Sequence, residues 1–283
     1  MLSKIKALIP QNFKKNVVYH TLSDLKYVLR TQKFITRLVG PIHERSPDLI
    51  EIDITYTCNL SCFSCDRSCG HAPSSDRLSL QQLQKFIDES IEQGVKWKRI
   101  RVLGGEPTLH PGLLQIIDEL LSFKESHSPQ VIIQLITNGY GKRVNNVLAK
   151  IDKSIVIENT MKNSSNQYFV PFNLAPKDFA SYKYSDFSLG CWIISVCGMG
   201  LSPYGYYQCA VAAAIDRVFG FDLGRKSLPD LSDSMRDQMK FLCRYCGHFM
   251  TTKRIMMTGD LMSKSWRMAY ERYKLSKPVM TFY

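Results

Sequence analysis

Three cysteines stand within eight residues of this chain, in the run Cys58-Asn-Leu-Ser-Cys62-Phe-Ser-Cys65. They follow directly on residues 49–55 (LIEIDIT), which read as a β-strand. Thiols packed into one loop can converge on one metal centre. Three cysteines on a four-iron cubane leave one iron open, and an open iron can take a small molecule as ligand. Structural zinc is the alternative. It needs four closed ligands, usually in Cys-x-x-Cys or Cys/His spacings, and Cys69 or His71 could supply the fourth.

The compartment bears on this choice. The N-terminal run MLSKIKALIPQNFKKN lacks a long apolar centre and a small-residue cleavage site, so it does not read as a secretory signal. No apolar run approaches the roughly 20 residues of a membrane span. A cytoplasmic location is therefore expected, where disulfides are rare and clustered thiols hold metal or do redox chemistry. The chain has nine cysteines in 283 residues, enough for more than one such centre.

Around the triplet the chain alternates strand and helix. A helix is expected over 79–93, with Ser79 and Gln82 as a capping box, Gly94 as its stop, and Leu80, Leu83, Phe86, Ile87 and Ile91 as its buried stripe. Strands follow at 99–103, at 131–137 (apolar enough to be covered on both faces) and at 154–158, with helices at 112–124 and 142–150 between them. Such alternation argues for an α/β fold with parallel strands. A full eight-stranded barrel does not fit the length. Residues 160–190 have room for one or two strands. A hairpin is expected over 191–209, turning at Ser202-Pro-Tyr-Gly205, then helices at 231–243 and 262–275. One amphipathic helix is expected over 21–39, with Leu22, Leu25, Val28 and Leu29 on one face.

Two further motifs sit at strand ends. Gly104-Gly105-Glu106-Pro107 follows the second strand, and Thr137-Asn138-Gly139 follows the third. With Cys58, Cys62 and Cys65 after the first, the chain resembles the radical S-adenosylmethionine (SAM) superfamily. The resemblance implies a partial (β/α)6-type TIM barrel, in which the three cysteines hold a [4Fe–4S] cluster. The implied SAM contacts are Gly104, Gly105, Glu106 and Pro107 at the amino group, with Thr137, Asn138 and Glu158 near by. An aromatic residue usually precedes the third cysteine and packs on adenine. Here Ser64 takes that place and Phe63 lies one position earlier. Cys69, close to the triplet, is either a hydrogen donor to a substrate radical or a small buried side chain.

The remaining cysteines are Cys191, Cys197, Cys209, Cys243 and Cys246. Cys243-Arg-Tyr-Cys246 alone reads as a zinc or redox pair. The whole set resembles the twitch domain, the shortened relative of the SPASM domain. That implies a small C-terminal α+β iron–sulfur domain with an auxiliary [4Fe–4S] cluster on Cys191, Cys209, Cys243 and Cys246, and Cys197 as an alternative ligand. The expected organisation is a basic helical extension (1–48), the barrel (49–187), the auxiliary-cluster domain (188–250) and a basic C-terminal helix (251–283).

The implied activity is reductive SAM cleavage to a 5′-deoxyadenosyl radical and abstraction of a substrate hydrogen atom. The expected outcome is oxidation of a small polar substrate such as a sugar or cyclitol. Aromatics between Tyr168 and Tyr207 are candidates for its pocket. Modification of a ribosomal peptide is the second reading, and a non-catalytic iron–sulfur or zinc protein the third. The resemblance also implies a reduced flavodoxin or ferredoxin-type electron donor. The net charge of +12 is confined to the ends: residues 1–45 carry nine basic residues against two acids, and residues 253–283 seven against two. No nucleic-acid-reading motif accompanies them, so no nucleic-acid partner is expected. Basic ends of this kind suit either a solvated face or an anionic membrane surface.

Overall fold

The computed structural model of the chain describes residues 17–251 and 255–283. Two helices come first, α1 (Val17–Arg30) and α2 (Lys33–Val39). The single helix expected over 21–39 is thus broken. Thr31 and Gln32 leave the helix to bond with the 182–186 segment: Asp186 N donates to the Thr31 carbonyl at 2.7 Å, and Gln32 forms a bridge with Ser185.

The alternating region forms β1 (Leu49–Thr55), α3 (Leu80–Glu92), β2 (Arg99–Gly104), α4 (Leu113–Ser126), β3 (Ile132–Thr137), α5 (Lys142–Leu148) and β4 (Val156–Asn159). The capping box of Ser79 and Gln82 is present. β5 (Gln167–Phe169) follows, and then the short helix α6 (Trp192–Val196). A tight hairpin joins β6 (Met199–Ser202) to β7 (Gly205–Tyr207). The remaining elements are α7 (Ala210–Phe219), α8 (Arg236–Leu242), β8 (Ile255–Met257) and α9 (Lys264–Leu275).

The fold is α/β, with one six-stranded sheet in the order β4-β3-β2-β1-β6-β7. Every neighbouring pair in it is parallel except β6 with β7. β5 and β8 form a separate antiparallel pair. The hairpin is shorter than expected because α6 takes up its first residues. It also joins the main sheet, where β6 pairs with β1. The sheet therefore runs across the division expected near residue 188.

The two faces of β1 differ, as a period of two dictates. Ile50, Ile52 and Ile54 pack with Leu83, Phe86, Ile116 and Leu120 beneath α3 and α4. Glu51 and Asp53 point the other way, yet both are buried. Some sequence-based expectations fail at these layers. Leu80 and Ile91 lie at the rim of α3 and are exposed. β3 is covered on one face only: Ile132 is exposed, and Ile136 borders an open cavity.

A second core lies over the other side. All ten residues of α7 are buried, among Phe172, Leu242, Phe249, Trp266 and Tyr270. This helix was not foreseen. Its sequence, AVAAAIDRVF, is apolar but for Asp216 and Arg217, and at ten residues it is too short to repeat a helical stripe. The helix expected over 231–243 is shorter, beginning after Met235, whose φ is 51°.

Candidate functional site

The cysteine triplet, the Gly-Gly-Glu-Pro turn and the Thr-Asn-Gly turn meet at the C-terminal ends of β1, β2 and β3. They border a cavity of about 250 Å³. Cys58, Cys62, Cys65 and Cys69 lie on its wall with Gly104, Gly105, Thr137, Asn138 and Glu158. Open α/β sheets place their sites at this edge because the strand ends there release loops that face one another.

Glycine is required where two loops touch. A Cβ on Gly104 would lie 2.3 Å from the Thr55 carbonyl oxygen, and one on Gly105 would lie 2.3 Å from that of Thr57. Gly105 N donates to Thr55 O at 2.7 Å, and Glu106 N to Thr57 O at 2.9 Å. The second motif is thus hydrogen-bonded directly to the stem of the cysteine loop.

Glu106 is fully buried and does not border the cavity. Its carboxylate accepts from Thr108 Oγ1 at 2.7 Å, Thr137 Oγ1 at 2.8 Å and Asn138 N at 2.8 Å. In this arrangement it ties two turns together, and its expected contact with SAM is not among its bonds. Pro107 is likewise buried away from the cavity. Asn138 completes the clasp. Its Nδ2 donates to Asn59 Oδ1 at 2.8 Å and points at Cys58 Sγ at 3.8 Å.

Phe63 and Ser64 do not reach the cavity wall. Ser64 is buried with φ 56°, and its Oγ accepts from Phe172 N at 2.9 Å, so it shapes the loop. Cys69 is buried, with its thiol 3.9 Å from the Arg67 carbonyl. The Cys69 thiol also donates toward Cys65. That bond, against the effect of burial, holds the Cys65 thiol down at about 6, while burial pushes Cys58 up to about 11.

Beside the triplet, the wall is ionic. Arg67 pairs with Glu51 at 3.0 Å, Asp53 at 3.1 Å and Asp66 at 3.1 Å. Arg101 pairs with Glu51, and with Glu158 at 3.1 Å. Burial raises the Asp53 carboxyl to about 7, outweighing the Arg67 charge beside it. Of the aromatics between Tyr168 and Tyr207, Phe169 and Trp192 line this cavity.

Sequence reasoning missed the support beneath the loop. Arg217, from α7, is fully buried. Its Nη2 donates to Arg67 O at 2.6 Å and its Nη1 to Ala72 O at 2.8 Å, with the guanidinium 4.2 Å above the Tyr56 ring. The signal available was an Asp-Arg pair inside an otherwise apolar run. A charge is rarely buried there without a partner.

Cys191, Cys209, Cys243 and Cys246 line a second opening, walled by Ile193, Ile194, Ala212, Ile215, Leu242 and Phe249. Burial pushes the Cys191 thiol up to about 12 and raises those of Cys209, Cys243 and Cys246 further. Burial of this kind favours the neutral thiol over the thiolate. Gln208 Nε2 points at Cys243 Sγ at 3.9 Å. Among the described residues, no three Cys, His, Asp or Glu side chains converge on a point suited to one ion. The thiols surround a space instead.

Cys197 is not in that group. It borders the first cavity, where Arg101 Nη1 approaches its sulfur at 3.9 Å. The five-residue helix α6 sets Cys191 and Cys197 on opposite sides, and Ile193 lines both openings.

Part of the chain is similar to known proteins. GTP 3′,8-cyclase of Aliarcobacter butzleri is 33% identical over 98 residues, 34% of this chain and 28% of that protein. A probable GTP 3′,8-cyclase of Sulfurisphaera tokodaii is 35% identical over 97 residues, again 34% of this chain and 28% of that protein. The chain therefore matches under a third of the length of these relatives. Among solved structures, BtrN in complex with AdoMet and 2-DOIA aligns with a TM-score of 0.38 and 10% identity, over 72% of this chain and 85% of that one. The family model described as Radical SAM superfamily matches residues 52–157. The matched residues 52–157 carry the cysteine triplet and both glycine-bearing turns, so over this part the chain is similar to the Radical SAM superfamily.

Proposed function

We propose that this chain is a radical SAM oxidoreductase that withdraws a hydrogen atom and then an electron from a small polar substrate. The observation that carries this reading is the pairing of two cysteine-lined openings across α6, with Ile193 on both walls.

The residues fit the groups they would hold. Cys58, Cys62 and Cys65 offer three sulfurs beside a cavity, which leaves one iron of a [4Fe–4S] cluster for SAM. Cys191, Cys209, Cys243 and Cys246 offer four sulfurs in an apolar enclosure, which suits a fully ligated second cluster. Cys58, Cys62 and Cys65 would hold the cluster at which SAM is reductively cleaved with one electron from an external reductant, and Cys191, Cys209, Cys243 and Cys246 would hold one able to take up an electron.

The protein's own part is positioning. Asn138 steadies Cys58 and the loop around it, and Glu106 fixes Asn138. Gly104 and Gly105 leave backbone exposed on the cavity wall, free of a side chain that would block a ligand. Arg101, Glu158 and Lys162 give the wall polar groups for a hydrophilic substrate. The cyclase relatives match over about a third of this chain, so their nucleotide substrate does not transfer with the match.

Anaerobic reconstitution with iron, sulfide, SAM and dithionite tests the reading. Release of 5′-deoxyadenosine that depends on Cys58, Cys62 and Cys65 supports it. Absence of that product from a protein loaded with iron at both sites overturns it.

A further inference from the structure

α1 lies on the molecule in the reverse of the usual sense. A surface helix normally buries its apolar stripe and turns polar residues outward. Here Tyr27 and Val28 face inward: the Tyr27 hydroxyl donates to Phe249 O at 3.0 Å, and Val28 packs against the second core. Leu22, Leu25 and Leu29 follow the i, i+3, i+7 spacing of one helix face. They look outward, 55%, 53% and 52% exposed. α2 extends the same character, with Phe34, Leu38 and Val39 at 64%, 81% and 63% exposed.

The exposed charged side chains between Leu22 and Val39 are all cations. Lys26, Lys33 and Arg37 are exposed beside the apolar side chains. The one acid between residues 21 and 43 is Asp24. It lies two positions from Leu22, about 200° round the helix and thus toward the protein. The sequence ahead of α1 adds four lysines and no acid over residues 1–16.

We propose that the outward face of α1 and α2 docks on an anionic bilayer surface. The leucines enter the boundary between headgroups and acyl chains, and Lys26, Lys33 and Arg37 meet lipid phosphates. Apolar residues flanked by cations are what such an interface accommodates. An acidic partner protein would meet the cations, yet it would need its own matching apolar relief to cover six outward hydrophobic side chains on two helices. A bilayer meets both demands without shape matching.

Co-sedimentation of the full chain with vesicles tests this. Binding to phosphatidylcholine vesicles containing phosphatidylglycerol should exceed binding to phosphatidylcholine alone by at least ten-fold, and should fall with salt. Each cation near the surface is worth about five-fold. The triple variant K26Q/K33Q/R37Q should therefore lose roughly a hundred-fold, and L22S/L25S/L29S should lose binding at low and high salt alike. Unchanged circular dichroism establishes that both variants fold. Equal retention on the two vesicle types, or variants that bind like the parent, overturns the proposal. So does a change of solution mass in the leucine variant without a change in vesicle binding, which would assign the face to a second copy.

Discussion

The Glu106 carboxylate and the Asn138 backbone N–H meet at 2.8 Å, with both residues buried. This bond joins the turn after β2 to the turn after β3. Asn138 in turn reaches Asn59 and Cys58. One carboxylate therefore sets the relative position of three loops that approach the same cavity.

Replacing Glu106 by Gln puts an amide N–H₂ where a carboxylate accepts several donors. A charge-assisted bond of this kind contributes about 1.5–3 kcal/mol. E106Q should lower SAM cleavage by roughly ten- to a hundred-fold. Iron content, read by colorimetric assay, should stay near that of the parent, because no cysteine is altered. Full 5′-deoxyadenosine yield in this variant would count against the clasp.

Arg217 supports the cysteine loop from below. R217M leaves the Arg67 and Ala72 carbonyls without their donor and should destabilise the protein by about 2–5 kcal/mol in chemical denaturation. R217K keeps the charge but not the fork that reaches both carbonyls. It should remain folded while binding the first cluster less well. Parental stability in R217M together with parental iron in R217K would show that the loop holds itself.

The second site should be separable by mutation. C243A/C246A should lower iron by about four per chain and leave SAM cleavage intact but uncoupled from substrate oxidation. Iron content equal to the parent's would remove the auxiliary site.

Asp53 gives a pH signature. Its carboxyl rises from the usual carboxylate range to about 7 in the folded protein, chiefly through burial. The native state therefore keeps a proton that the unfolded chain has already lost above pH ~4. The stability this proton confers is fully present below pH ~4 and is lost as pH rises to about 7. D53N should flatten that slope in denaturation curves taken at pH 5 and pH 8. An unchanged slope would assign it to another group.

Much of the first site was legible in the sequence because its parts are local. A strand with period-two apolar residues, a turn with paired glycines and a three-cysteine loop each fit within about ten residues. The supporting chemistry was not legible, because it comes from far along the chain. Arg217 meets Arg67 across 150 positions, on a helix too short to repeat a stripe. The resemblance made Cys197 an alternative ligand of the second set. The turn of α6, too short to signal itself, moves it to the other cavity. The leucines of α1 share a face by periodicity, and periodicity reports that a stripe exists without saying which way it points.

β1 has hydrogen-bonded neighbours on both edges, β2 on one and β6 on the other. The strand that launches the proximal cysteines is thus completed by a strand from the distal half of the chain. A gene fragment stopping ahead of residue 199 would expose a raw β-edge, an invitation to intermolecular pairing. The two halves are therefore poor candidates for domain shuffling: neither can be cut out and transplanted with its chemistry whole.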